Sequence, residues 1–187
     1  MQLSLLEPTA PAPATVATAK RHYDAGQSSE WYTPSVYVDA ARLAMGGIDL
    51  DPASCEFANQ TVRAGCYFDK AAEGLSRQWF GRVWLNPPYS DYRGQASKWA
   101  GKLLSEYSAG NVDQAVLLVN LSTAYQSAMQ EIARVGAVCL VGQRIRFYDA
   151  TGVAQRSPTQ ANAIFYLGDK LEAFSAHFEQ FGAVLIN

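Results

Sequence analysis

Two adjacent prolines at the end of an apolar run constrain this chain more than any other feature. Gly81-Arg82-Val83-Trp84-Leu85 reads as a β-strand and passes straight into Asn86-Pro87-Pro88-Tyr89. Proline has no backbone N–H to give to a ladder, so a central strand has to stop there. The prolines also shape the turn itself, because Pro88 excludes the helical region for Pro87 and leaves the backbone stiff and extended. A second segment, Ala115-Val116-Leu117-Leu118-Val119, is apolar without alternation, the pattern of a strand covered on both faces.

Helical and strand patterns alternate around these two segments. Thr33-Pro34 opens the first helix, with Thr33 as N-cap and Pro34 at the first helical position, followed by Val36, Tyr37, Ala40, Leu43 and Ala44 at helical spacing. Gly46-Gly47 closes it. Ile48-Asp49-Leu50-Asp51 is expected as a short strand, residues 54–63 as a short helix or an irregular loop, and residues 66–68 as a further strand. Helices are expected over residues 96–105, 124–135 and 170–181, and strands over 137–141, 163–167 and 183–186. An Arg-bearing hairpin or loop comes after Gly142. The alternation predicts an α/β, Rossmann-like three-layer sandwich with a mostly parallel sheet. Ligands in such sheets bind outside the carboxyl ends of the strands, where strand order reverses, which puts Asp49-Asp51 and Asn86-Tyr89 on one rim.

A chain of 187 residues, 49% hydrophobic and 17% charged, supplies one core. Residues 1–28 are rich in Ala, Pro, Thr and Ser and lack a hydrophobic period; they are expected to form a flexible leader, with residues 29–187 as a single domain. Cys55, Cys66 and Cys139 are odd in number and lack metal-ligand spacing, so they read as reduced thiols of a cytoplasmic protein without a metal site. No apolar run is long enough to cross a bilayer. The sequence leaves the oligomeric state open, with a monomer favoured.

A net charge of -2 does not provide for bulk neutralisation of phosphate. Any nucleic-acid contact has to come from a local patch, and the candidate is Arg144, Arg146 and Arg156, which share one segment with a lone carboxylate, Asp149. A solvated loop face explains these arginines equally well.

Asn-Pro-Pro-Tyr suits one kind of chemistry. The lone pair of an exocyclic aromatic amine is delocalised into its ring and has to be localised before it can attack an electrophile. If the Asn86 side-chain oxygen and the Pro87 carbonyl each accept one amine hydrogen, the nitrogen is drawn toward tetrahedral geometry and its developing charge is stabilised. Pro88 holds the Pro87 carbonyl in direction, and Tyr89 offers a face on which an unstacked base can rest. A rigid Pro-Pro corner with a packing Tyr is the plain structural reading. No Ser-His-Asp or Cys-His arrangement accompanies the turn, since His22 lies in the leader and His177 on a terminal amphipathic helix.

At this point the chain resembles the small bacteriophage-type, Dam-like DNA N6-adenine methyltransferases. The resemblance covers about residues 30–168. It rests on Trp31-Tyr32-Thr33-Pro34, Asp49-Leu50-Asp51-Pro52-Ala53-Ser54, Gly74-Leu75 with Trp79, the segment from Val83 through Ser90, and Gly142-Gln143-Arg144-Ile145-Arg146-Phe147. It implies a methyl donor, S-adenosylmethionine, and DNA as the acceptor, with a Thr-Pro segment like Thr33-Pro34 at the donor's methionine end. Asp51 and Asp49 suit the ammonium and ribose hydroxyls, Asp69 the adenosine end, and the amides of the helix starting at Pro34 suit the donor's carboxylate. Arg144 and Arg146 are the expected DNA contacts, and residues 143–162 the only sizeable candidate for target recognition, so specificity is expected to be limited. The chain departs from the broader methyltransferase pattern in one respect, because Pro52-Ala53-Ser54 stands where a Gly-x-Gly loop is usual. Two other readings stay open: a methyltransferase acting on a protein glutamine or another planar amine, and a non-catalytic DNA-binding decoy.

Overall fold

The strand that leads into the Pro-Pro corner lies inside a sheet, flanked on both sides, in a computed structural model that describes residues 31–88 and 95–187. The expected leader and Tyr89 lie outside the described residues. The elements in chain order are α1 (Ser35–Met45), β1 (Leu50–Asp51), α2 (Glu56–Val62), β2 (Cys66–Tyr67), β3 (Gly81–Leu85), α3 (Gln95–Ser108), β4 (Val112–Asn120), α4 (Ser127–Val135), β5 (Ala137–Val141), β6 (Asn162–Leu167), α5 (Leu171–Phe178) and β7 (Gly182–Ile186). The strands form one sheet in the order β2-β1-β3-β4-β6-β5-β7.

The α/β class is the one the alternation implied. β2, β1, β3 and β4 pair in parallel, whereas β6 is antiparallel to both β4 and β5, and β7 is antiparallel to β5. The reversal at β6 follows from the connection: a parallel crossover needs a helix on one face, and the segment between β5 and β6 contains none.

Period-two side-chain alternation divides the core into two layers. Val116 and Leu118 of β4 face Met45 of α1 and Phe174 and Phe178 of α5. Ala115, Leu117 and Val119 face Leu103 of α3 and Met129 and Ile132 of α4. All of these side chains are buried, each large one worth roughly 1.5–3 kcal/mol relative to exposure. The unalternating apolar run is therefore a strand with helices on both sides.

The chain leaves β1 for β2 on one side and enters β4 from β3 on the other, so strand order reverses between the adjacent β1 and β3. The carboxyl ends of that pair carry Pro52-Ala53-Ser54 and Asn86-Pro87-Pro88. Sequence alternation and sheet topology thus converge on one crevice.

Two local expectations change. Thr33 is not the N-cap of α1: Pro34 takes that position with φ -55° and ψ 139°, no side chain caps the helix, and the helix begins at Ser35. The Thr33 hydroxyl instead accepts a hydrogen bond from Asn86 Nδ2. Residues 121–123 form a 3-10 turn, and α4 starts only at Ser127. Residues 54–63 contain a true helix, α2, whose Ala58 amide donates to Cys55 Sγ at 3.4 Å. The three cysteines are free thiols, and burial pushes that of Cys139 up to about 11. Among the described residues no helix is long and apolar enough to cross a membrane.

Candidate active site

A cavity of about 570 Å³ opens at the carboxyl ends of β1 and β3. One wall is the segment Trp31-Tyr32 that leads into α1. A second is Pro52 through Cys55 at the end of β1, a third the loop between β2 and β3, and Asn86 and Pro88 close the side toward β4.

Asn86 is held from one side only. Its Nδ2 donates to Thr33 Oγ1 at 3.1 Å, and its Oδ1 is buried without a hydrogen-bond partner. A buried acceptor left unpaired costs about 1–3 kcal/mol, so proteins rarely keep one without a use. The bond to Thr33 sets the carboxamide orientation, and the remaining oxygen is a fixed acceptor on a residue that lines the cavity. Pro87 is buried and Pro88 exposed, as a turn must be when one proline packs beneath and the other faces the ligand side.

The acidic candidates separate. Asp51 ends β1 and is 3% exposed. Burial pushes its carboxyl up to about 7, against the pull of Ser54 nearby and of the Ala53 amide, which donates to Oδ1 at 3.2 Å. The Ser54 hydroxyl itself makes no hydrogen bond of regular geometry, so its help to the Asp51 anion is a matter of proximity. Asp51 stands behind the wall that Pro52 begins, not in it. Asp69 does line the cavity, and its Oδ1 accepts the Ala72 amide at 2.8 Å.

Asp49, expected beside the donor, is elsewhere. Its Oδ2 accepts from the Arg82 amide at 2.8 Å and from Arg82 Nε at 2.7 Å, and its Oδ1 from Nη2 at 2.7 Å. These contacts hold its carboxyl below the usual range, the side-chain hydrogen bond from Arg82 first among them. The pair clamps the amino ends of β1 and β3, at the far edge of the sheet from the cavity. Position along the strand decides this: Asp49 and Asp51, two residues apart, share one face, but Asp49 precedes β1 and Asp51 ends it.

Several wall residues escaped sequence reasoning, namely Phe68, Lys70, Glu73 and Trp99. Gly74 is what brings the loop and Trp99 together. A Cβ on Gly74 would lie 2.0 Å from the Pro52 carbonyl oxygen and 3.2 Å from the Trp99 ring. The loop can close on the end of β1 only because that side chain is missing. Trp79 fixes it from below: the indole is fully buried, donates from Nε1 to Gly74 O at 2.8 Å, and stacks on Trp99 with centroids 5.7 Å apart. The Gly74-Leu75…Trp79 pattern in the sequence was the available signal.

The arginine segment joins the same rim. It leaves the carboxyl end of β5, which runs in the direction of β4, and forms a hairpin in which Gln155 N donates to Phe147 O at 2.7 Å and Asp149 N to Val153 O at 3.0 Å. Tyr148 exchanges backbone hydrogen bonds with Tyr32, at 2.8 and 2.9 Å. Arg144, Arg146 and Arg156 are exposed, and Arg144 Nη1 donates to Pro158 O at 3.3 Å. Trp31-Tyr32-Thr33 is therefore a strap that lines the cavity with Trp31 and Tyr32, pairs with the arginine hairpin through Tyr32 and orients Asn86 through Thr33.

A family model described as DNA N-6-adenine-methyltransferase (Dam) matches residues 20–179. No curated protein matches the chain.

Proposed function

The chain belongs to the DNA N-6-adenine-methyltransferase (Dam) family, and on that premise we propose that S-adenosylmethionine is its methyl donor and that adenine N6 is held for transfer by Asn86 and Pro87. The observation that carries this reading is the unpaired, buried Oδ1 of Asn86.

The residues around the cavity fit the donor. Its volume lies in the range of small-molecule sites, roughly 300–1,000 Å³. Asp69 and Glu73 offer carboxylates for hydroxyl and ammonium groups, Trp31 and Tyr32 offer aromatic faces, and the Thr33-Pro34 step is assigned to the methionine end. Asp51 adds a buried carboxyl that a cation in the cavity would favour as its anion. When bound, the donor supplies an electrophilic methyl group on a sulfonium.

The chain's own residues prepare the acceptor. Asn86 Oδ1 and the Pro87 carbonyl each take one N6 hydrogen, which turns the nitrogen lone pair out of conjugation and toward the methyl. Both are preorganised, one by Thr33 and one by Pro88, so little reorganisation is needed when charge develops. The N6 proton is lost to solvent after transfer, and no covalent nucleophile is required. Alignment of the two reactants accounts for about 7–11 kcal/mol of the barrier reduction in well-oriented systems. Tyr89 is assigned to stacking on the unstacked adenine, and Pro88 to contact with the same base. Arg144 and Arg146 are assigned to phosphates, and residues 143–162 to limited target selection.

The test is transfer of labelled methyl to unmethylated duplex DNA, with digestion to identify the modified base. Label on adenine N6, lost at least about a hundredfold in a folded Asn86→Ala protein, supports the reading. Label on peptides alone, or full turnover by Asn86→Ala, overturns it.

A further inference from the structure

The turn after β4 stands beside the Asn86 turn, and its residues are not among those that line the cavity described above. Leu85 of β3 pairs with Leu117 of β4, and β4 continues to Asn120, so the turn after β4 and the Asn86 turn leave the same carboxyl edge of two adjacent parallel strands. That turn is rigid. Thr123 Oγ1 donates to Asn120 O at 2.7 Å, Leu121 N to Ala161 O at 2.8 Å, and Ala124 N to Leu121 O and Gln126 N to Thr123 O at 3.0 Å each. Gln130 Nε2 ties Ala124 O from the next helical turn at 2.6 Å.

On this frame Tyr125 is 79% exposed, more than any other large hydrophobic side chain among the described residues, with Leu121 also exposed beside it. A ring left in water adds little to the stability of the fold. A rigid mount with an unpacked ring is the form of a contact element. The neighbouring Gln126 Oε1 is buried and takes no hydrogen bond, as is the case for Asn86 Oδ1, Ser54 Oγ and Asn162 Oδ1. Residues 120–130 contain no charged side chain, so nothing on the turn repels phosphate, and the exposed Arg144 and Arg146 leave β5 on the same rim.

We propose that the turn from Leu121 to Gln126 contacts duplex DNA, with the Tyr125 ring entering the base stack and filling the gap left when the target adenine turns out toward Asn86. This role rests on the proposed adenine chemistry at Asn86. Extracting a base from a duplex breaks stacking on both of its sides, and an inserted aromatic restores part of it. Single-stranded DNA leaves no such gap, so the requirement for Tyr125 is specific to the duplex.

The experiment compares wild type, Y125A and Y125F on unmethylated plasmid duplex and on the same DNA denatured to single strands, with donor affinity measured by calorimetry. Y125A is expected to raise KM for duplex about tenfold, to leave KM for single strands within about twofold and donor affinity unchanged, and Y125F to recover duplex KM. Equal losses on both DNAs, or no loss on duplex, overturn the wedge alone. Failure of the wild type to methylate either DNA overturns the adenine reading, and the wedge with it.

Discussion

Thr33 and Asn86, 53 residues apart in the chain, share a hydrogen bond of 3.1 Å that leaves the Asn86 carboxamide oxygen buried and unpaired. The hydroxyl that the sequence suggested as a helix cap bonds instead to the residue that follows β3. It fixes which end of a symmetric-looking amide is presented as the acceptor.

Thr33→Val should therefore slow methyl transfer by roughly three- to tenfold, the worth of one orienting hydrogen bond. The loss is expected in kcat more than in donor affinity, and Thr33→Ser should restore the rate. Single-turnover kinetics on duplex DNA check this, and a Val variant as fast as wild type would remove Thr33 from the mechanism.

Asp51 predicts a pH dependence of stability. Its folded pKa of about 7 exceeds the ordinary 3.8, so between those values the folded state binds more protons than the unfolded one. Stability without donor falls as pH rises through that window and is level above it, by at most roughly 1.4 kcal/mol per unit. Asp51→Asn should abolish the slope and be more stable than wild type near pH 8, measured by urea denaturation across the range. In the same series, the donor should protect wild type more than Asp51→Asn if its cation favours the Asp51 anion.

Gly74→Ala places a Cβ 2.0 Å from Pro52 O, where backbone has to move. A loss of about 1–3 kcal/mol is expected, as for other overpacking substitutions. Donor binding should weaken with it, because the displaced loop is a cavity wall. Thermal unfolding and calorimetry read the two effects separately.

Asp49→Ala should separate them in the other direction. The ion pair with Arg82 is about one-third exposed on each side, so its loss is expected to cost about 1 kcal/mol, with donor affinity unchanged. Weakened donor binding in a variant of unchanged stability would return Asp49 to the site.

Arg144→Ala and Arg146→Ala should each reduce the slope of log affinity against log salt by about 0.9 if each meets one phosphate. Fluorescence anisotropy with a labelled duplex at several salt concentrations measures it. An unchanged slope for both would place the phosphate contacts on another surface.

Most of the fold was legible in the chain. β3 and β5 begin and end where their apolar runs do, and Gly46, at φ 80°, closes α1 as the sequence indicated. The stop of β3 at Asn86 was legible too, because two prolines after a buried strand restrict the backbone whatever surrounds them. Less legible was the donor side. Asp49 and Asp51 look alike in sequence, yet one is clamped by Arg82 and the other buried at the strand's far end. Tyr125 read as an ordinary residue at a helix start, and only the later start of α4 leaves it on an exposed turn.

The sequence by itself determined the stop of β3, the α/β alternation and the rim on which Asn86 lies, since proline geometry and side-chain periodicity act over a few residues. The tertiary structure alone decided that Thr33 meets Asn86, that Gly74 closes on Pro52, that Asp49 pairs with Arg82, and that the arginine hairpin pairs with Tyr32 through Tyr148. Each of those contacts joins segments far apart in the chain. Their partners depend on strand order and on the face each side chain takes, which local patterns leave open until the sheet has formed.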